Sequence, residues 1–70
     1  MNKDIELKKL GNKIKSVRIK KGFSQEELAY RCGFDRTYIS MLERAKRNPT
    51  YWNLLKLADG LEISLIEILA

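Results

Sequence analysis

The sequence predicts an all-α fold, and three observations support that prediction. Apolar residues recur at spacings of three and four, as in Leu7, Leu10, Ile14 and Val17, instead of alternating. Serine, threonine or aspartate precedes several of these runs, where a side-chain oxygen can cap a helix. Glycine or proline separates the runs. With 70 residues and no repeat or low-complexity segment, the chain is expected to form one compact domain over residues 1–70.

Capping signals give the helix boundaries. Ser24 with Glu27, and Ser64 with Glu67, match the capping box, in which the hydroxyl accepts a backbone N–H three residues on and the carboxylate reaches back. Gly33 can adopt the left-handed conformation that a sharp helix stop requires. The expected helices are Asp4 to Lys21, Gln25 to the corner at Gly33, Arg36 to about Arg44, Tyr51 to about Leu61, and Leu65 to Leu69.

The end of the fourth helix leaves two possibilities open. Gly60 interrupts the apolar pattern, whereas the position of the usual stopping glycine is occupied by Glu62. Either Gly60 ends the helix early or Glu62 adopts a strained turn.

The segment 24–44 has the spacing of two helices that cross at a steep angle. The small residue Ala29 suits the crossing point, Gly33 forms the corner, and Ile39 and Leu42 lie three apart on the inner side of the second helix. This is the helix-turn-helix arrangement, in which the second helix enters the DNA major groove by its N-terminal end. An αα-hairpin without a nucleic-acid role is the alternative, and the polar outer face of the second helix favours DNA.

The charge is basic overall and unevenly distributed. The chain has 14 Lys and Arg against 9 Asp and Glu; residues 1–22 carry eight basic and two acidic side chains, whereas residues 51–70 carry one and three. One end of the molecule therefore suits a polyanion, as expected of a nucleic-acid binder. A solvated helix face accounts for several of the N-terminal lysines.

The composition argues against other classes of protein. There is no histidine, and the single cysteine, Cys32, cannot form an internal disulfide. Cys32 is expected to be a small buried apolar residue, with a redox switch as the alternative. No metal, cofactor or enzymatic active site is expected. No run of about 18 apolar residues and no signal peptide is present, so we expect a cytoplasmic protein without membrane contact.

Candidate DNA contacts lie on the third helix and in the loop after it. Arg36 can bridge the O6 and N7 acceptors of one guanine. Tyr38 either touches the DNA or packs as a ring on the domain surface. Arg47 is interpreted as a phosphate clamp, or more sharply as a minor-groove contact. The expected base contacts are Arg36, Thr37, Tyr38 and Ser40, and the expected backbone contacts are Arg44, Lys46, Arg47 and Asn48.

Two further sets of contacts are expected. One is an ion pair within the chain, and the other covers apolar side chains that the last helix cannot bury. Arg18 should pair with Glu43, because a lone carboxylate facing the core is costly; the alternative is a surface glutamate. A single terminal turn cannot bury all of its apolar side chains, so a two-fold homodimer is expected to cover the surplus, unless these residues complete a thin core. The expected dimer contacts are Tyr51, Leu65, Ile66, Ile68 and Leu69.

The segments SQEELA, RTYIS and MLER, with the corner at Gly33, resemble the lambda-repressor-like family of five-helix DNA-binding domains over nearly the whole chain. Arg18 and Glu43 stand where that family commonly has a structural ion pair. The resemblance also implies that Gln25 donates to a phosphate and braces the third helix. Glu62 departs from the family pattern at the end of the fourth helix.

Within that family, Asp35 to Ser40, Glu43-Arg44 and Arg47 to Thr50 resemble the controller proteins of bacterial restriction–modification systems. The resemblance implies a small dimeric transcription regulator without a ligand-binding domain. Such a regulator activates its own gene and the endonuclease gene, which delays the nuclease until the methyltransferase has protected the host, and represses at higher dose.

A dimeric regulator of this kind should bind a near-palindromic operator with half-sites about one helical turn, ~34 Å, apart. Activation requires a contact with RNA polymerase, for which the expected residue is Glu26, exposed on the second helix. Two alternatives remain: a phage-type or antitoxin repressor of its own operon, and a protein-interaction module that does not bind DNA.

Overall fold

The computed structural model describes all 70 residues, which form five helices and no strand. The all-α prediction is confirmed, and each observed boundary lies within one residue of the expected one. The helices are α1 (Lys3–Lys20), α2 (Gln25–Cys32), α3 (Arg36–Glu43), α4 (Tyr51–Leu61) and α5 (Leu65–Leu69). None of them is both long and apolar enough to cross a membrane.

Side-chain caps start four of the helices, but neither expected capping box is complete. The Glu27 amide donates to the Ser24 hydroxyl at 3.0 Å, while the Glu27 carboxylate accepts from Arg31 at 3.4 Å instead of reaching back. Ser64 accepts no backbone N–H, and its hydroxyl donates to the Glu67 carboxylate at 3.3 Å. Two predictions are therefore wrong: that the Glu27 carboxylate reaches back to complete the first box, and that the Ser64 hydroxyl accepts a backbone N–H in the second. Asn2, Asp35 and Thr50 cap α1, α3 and α4.

Left-handed residues follow four of the helices, and the first of them is Gly22 after α1, with φ 81°. Gly33 has φ 78°, as predicted, and the non-glycines Ala45 and Glu62 have φ 60° and 61°. Helix α4 continues through Gly60 to Leu61, so the second of the two possibilities is correct: Glu62 makes the turn. An L-residue in this conformation costs roughly 1 kcal/mol.

Gly60 is required by packing and not by its backbone angles. A Cβ atom at this position would overlap the sulfur of Cys32, where α4 lies against the end of α2. Burial raises the pKa of the Cys32 thiol to about 11, with the Asp59 carboxylate adding to the rise and the Lys56 ammonium opposing it. The thiol therefore stays protonated near neutral pH, as the prediction of a buried apolar residue requires.

The core lies between all five helices. Its fully buried side chains are Ile14, Leu28, Ile39, Leu42, Leu57 and Leu61. Ile68 of α5 joins this core with 3% of its surface exposed. The expectation that Ile68 contributes to a dimer contact is therefore wrong, because α5 turns this side chain inward against the domain.

Helix α1 approaches the end of α3 closely enough to exclude a side chain at Gly11. A Cβ atom there would lie 2.6 Å from the carbonyl oxygen of Leu42 and 2.8 Å from that of Glu43. The backbones of α1 and of the last turn of α3 are therefore in direct contact.

Candidate nucleic-acid interface

The helix-turn-helix geometry is present in α2, the turn at Gly33 and α3. Ala29 is 3% exposed on the inner side of α2, and its carbonyl accepts from the Phe34 amide at 2.9 Å across the turn. Ile39 and Leu42 are buried on the inner side of α3. These contacts leave the opposite face of α3 open to solvent.

The outer face of α3 presents polar groups from its N-terminal end. Arg36 and Thr37 are exposed and Ser40 is half-buried. Arg36 has no carboxylate within ion-pair distance, so its guanidinium donors remain available. Arg44, by contrast, donates from Nε to the Ser40 carbonyl at 3.3 Å, which holds it along its own helix.

The loop between α3 and α4 carries its cations next to this face. Lys46, Arg47 and Asn48 are exposed. The Arg47 guanidinium carbon lies 5.0 Å from the centre of the Tyr38 ring. Tyr38 is half-buried, and its hydroxyl accepts from Asn53 Nδ2 at 3.0 Å. The ring of Tyr38 therefore packs on the domain surface, and a DNA contact would use only its exposed part.

A buried ion pair fixes the far end of α3. Arg18 Nε donates to Glu43 Oε2 at 2.6 Å and Arg18 Nη2 donates to Oε1 at 3.1 Å, with side chains 11% and 3% exposed. The expected Arg18–Glu43 pair is thus present. Gln25 Nε2 also donates to Glu43 Oε1 at 3.1 Å, and Arg18 Nη1 to the Phe23 carbonyl at 2.9 Å. Helices α1 and α2 therefore hold the last turn of α3, and the turn between them holds the Arg18 side chain.

An open cleft lies between the N-terminal ends of α2 and α3. Glu26, Tyr30 and Arg36 line it, and Tyr30 is 87% exposed. Tyr30 was not expected from the sequence, although its position four residues after Glu26 places both on the same face of α2. The cleft brings an acidic group and an aromatic ring beside the open face of α3.

The apolar residues of α4 and α5 are divided between core and surface. Tyr51, Ile66 and Leu69 are 67%, 74% and 60% exposed, and Leu65 is half-buried. Trp52 is also 67% exposed and was not expected here. In the sequence, the only sign that Trp52 belongs with the exposed apolar residues is its position next to Tyr51 in the first turn of α4.

Comparisons with known proteins agree with this architecture. The helix-turn-helix family model HTH_3 matches residues 14–68. The chain is 42% identical over 65 residues to the uncharacterized HTH-type transcriptional regulator y4dJ of Sinorhizobium fredii, covering 91% of this chain and 84% of that protein. It is 44% identical over 66 residues to the control protein C.MunI of Mycoplasma, covering 93% and 88%. The crystal structure of the restriction–modification controller protein C.AhdI from Aeromonas hydrophila matches with a TM-score of 0.89 at 42% identity, covering 91% of this chain and 97% of that one.

Proposed function

Because the chain belongs to the helix-turn-helix family of DNA-binding transcription regulators, we propose that it is a homodimeric restriction–modification controller that regulates its own gene and activates an endonuclease gene. The observation that carries this proposal is the open polar face of α3, whose opposite end is locked by the buried Arg18–Glu43 pair. The similarity to the control protein C.MunI and to C.AhdI supports the narrower role.

Base readout is assigned to the N-terminal half of α3. Arg36 is exposed at the first position of the helix, without an ion-pair partner, and its two parallel N–H donors match the O6 and N7 acceptors of guanine. Thr37 and Ser40 make shorter contacts on the same face. Tyr38 contributes the exposed part of its ring.

Residues on both sides of that face are assigned to contacts with the DNA backbone. Gln25, at the first position of α2, has one amide hydrogen bond to Glu43 and a second N–H available for a phosphate. On the other side, the loop after α3 supplies the sequence-independent attraction. Its contacts are Arg44, Lys46, Arg47 and Asn48.

Two copies related by a two-fold axis would bind a near-palindromic operator, with half-sites about 34 Å apart. The exposed Tyr51, Trp52, Ile66 and Leu69 form the proposed contact between copies, since an isolated domain gains nothing from leaving four large apolar side chains in water. Leu65 lies at its edge.

Footprinting on the DNA upstream of the chain's own gene tests the proposal. We expect protection of two half-sites, and Arg36→Ala should weaken operator binding by about 1–3 kcal/mol and relax preference at one base pair. Arg47→Ala should weaken binding to all duplexes and reduce the slope of log K against log salt by about 0.9. Equal losses on every sequence for Arg36→Ala would contradict base readout by that residue.

The activating contact with RNA polymerase is assigned to Glu26, which is exposed beside Tyr30 at the cleft. Glu26→Gln keeps the size of the side chain and removes its charge. We expect operator binding to be retained and transcription from the endonuclease promoter to fall in a purified transcription assay. Normal activation by Glu26→Gln would remove Glu26 from this role.

A further inference from the structure

A row of four side chains in contact runs from α4 to the loop after α3. Lys56 Nζ lies 4.7 Å from the centre of the Phe34 ring, and the Phe34 ring meets the Tyr38 ring edge-on at 4.7 Å and 61°. The guanidinium of Arg47 completes the row over the Tyr38 ring. Cation–π and edge-to-face contacts of this kind each favour the observed ring orientations.

Asn53 holds the Tyr38 ring of this row in place. It lies in the first turn of α4, and its side-chain amide donates to the Tyr38 hydroxyl at 3.0 Å. Its backbone N–H caps α4 through Thr50 Oγ1 at 3.1 Å, so the residue has two separate roles. The Tyr38 hydroxyl has no other hydrogen bond within the chain, which makes Asn53 its single polar anchor.

Arg47 itself has no carboxylate partner, and the Tyr38 ring is the group that orients its guanidinium. A free arginine on an exposed loop loses rotamer freedom when it binds, and this loss lowers affinity. A guanidinium already stacked on a fixed ring loses less. The Arg47 guanidinium is therefore already oriented before DNA binds.

We propose that Asn53 is a positioning residue for DNA binding: by anchoring Tyr38, it holds Arg47 in place for the DNA backbone. This role rests on the proposed function, in which Arg47 contacts a phosphate.

A double-mutant cycle tests this role. Asn53→Ala removes the side-chain amide but leaves the backbone cap, and alanine has the higher helix propensity, so α4 should remain folded. We expect operator affinity to fall about two- to tenfold, the range for immobilising one flexible side chain at an interface. The salt slope should stay unchanged, because the number of phosphate contacts is the same. Asn12→Ala, at an exposed position of α1, is the matched control and should bind normally.

The Arg47→Ala background separates positioning from general destabilisation. If Asn53 acts through Arg47, the double variant should bind no more weakly than Arg47→Ala alone. Proton NMR of the free protein gives a second readout. A guanidinium over the Tyr38 ring is expected to have an upfield-shifted Arg47 Nε–H resonance, and this resonance should move downfield in Asn53→Ala.

The outcomes distinguish this role from the proposed function. Normal affinity of Asn53→Ala, or full additivity with Arg47→Ala, would overturn the role of Asn53 while leaving the DNA-binding function intact. A wild-type chain that binds no duplex upstream of its own gene would overturn both.

Discussion

At the scale of single residues, the Glu43 carboxylate has a large expected effect on stability. It is 3% exposed and accepts from both Arg18 and Gln25. Glu43→Ala would leave the Arg18 guanidinium buried without a counter-charge, and the free energy of unfolding should fall by about 3–5 kcal/mol. Urea denaturation followed by circular dichroism measures this loss.

The exposed pair between Glu6 and Lys9 provides the matched control. These side chains are 47% and 72% exposed at 3.5 Å, so Glu6→Ala should change the unfolding free energy by less than about 1 kcal/mol. A similar loss for both variants would contradict the assignment of the stabilisation to the buried network.

The sequence alone was enough to assign residues whose role follows from their chemistry. A carboxylate placed to face the core needs a partner, so Arg18 and Glu43 could be paired before the fold was known, and the family resemblance supported the pairing. Asn53 could not be assigned, because its amide meets Tyr38 across 15 positions of sequence and only after the fold brings the first turn of α4 next to this side chain. Tyr30 carries no local signal beyond its spacing from Glu26.

At the scale of elements, the turn after α4 retains strain that a substitution should relieve. Glu62 has φ 61° and ψ 40°, and its ion pair with Arg31 is long, at 3.7 Å, and solvent-exposed. Glu62→Gly should therefore raise the unfolding free energy by about 0.5–1 kcal/mol. In a domain of this size that is a rise in Tm of roughly 2–8 °C, measurable by calorimetry.

Glu62→Ala separates relief of backbone strain from removal of charge. Alanine removes the carboxylate and keeps the left-handed strain, so its Tm should match the wild type or lie slightly below it. Equal stabilisation by alanine and glycine would mean that charge, and not backbone conformation, limits this turn.

The starts of α2, α3 and α4 were predictable to the residue because a capping oxygen is a local signal, as Ser24, Asp35 and Thr50 show. Helix α1, capped by Asn2, begins one residue before the expected start. The end of α4 was not, since two local signals conflicted there and packing decided between them. Gly60 looked like a stop, yet it serves the contact with Cys32. The first capping box is incomplete because the Glu27 carboxylate accepts from Arg31, and the second because the Ser64 hydroxyl donates to the Glu67 carboxylate.

At the scale of the whole molecule, basic groups lie towards the N-terminal half and exposed apolar groups are added by α4 and α5. Ile66 is 74% exposed, so Ile66→Glu should leave the domain folded and weaken self-association by placing a charge in the proposed contact between copies. Sedimentation equilibrium should show a shift towards monomer, and operator affinity should fall by roughly tenfold or more because the two half-sites are no longer linked.

Ile19→Glu is the matched control, because Ile19 is 58% exposed but lies on α1. It should leave self-association unchanged. A monomeric wild-type chain at every concentration, or a dimer insensitive to Ile66→Glu, would contradict the proposed contact.

The five-helix fold could be predicted from the sequence because caps, spacing and resemblance agreed. The division of α5 between core and surface could not, since Ile66 and Ile68 look alike in sequence. Only the packing of α5 against α1 and α4 separates them, with one side chain 74% and the other 3% exposed.

The contact at Gly11 has a consequence for genetic screens. Any side chain at this position would collide with the carbonyls of Leu42 and Glu43 and tilt α3 without touching DNA. A selection for lost regulation should therefore recover Gly11 alleles together with Arg36 alleles. The two classes of allele would give the same phenotype in the selection, and only the Gly11 variants would have a lowered Tm.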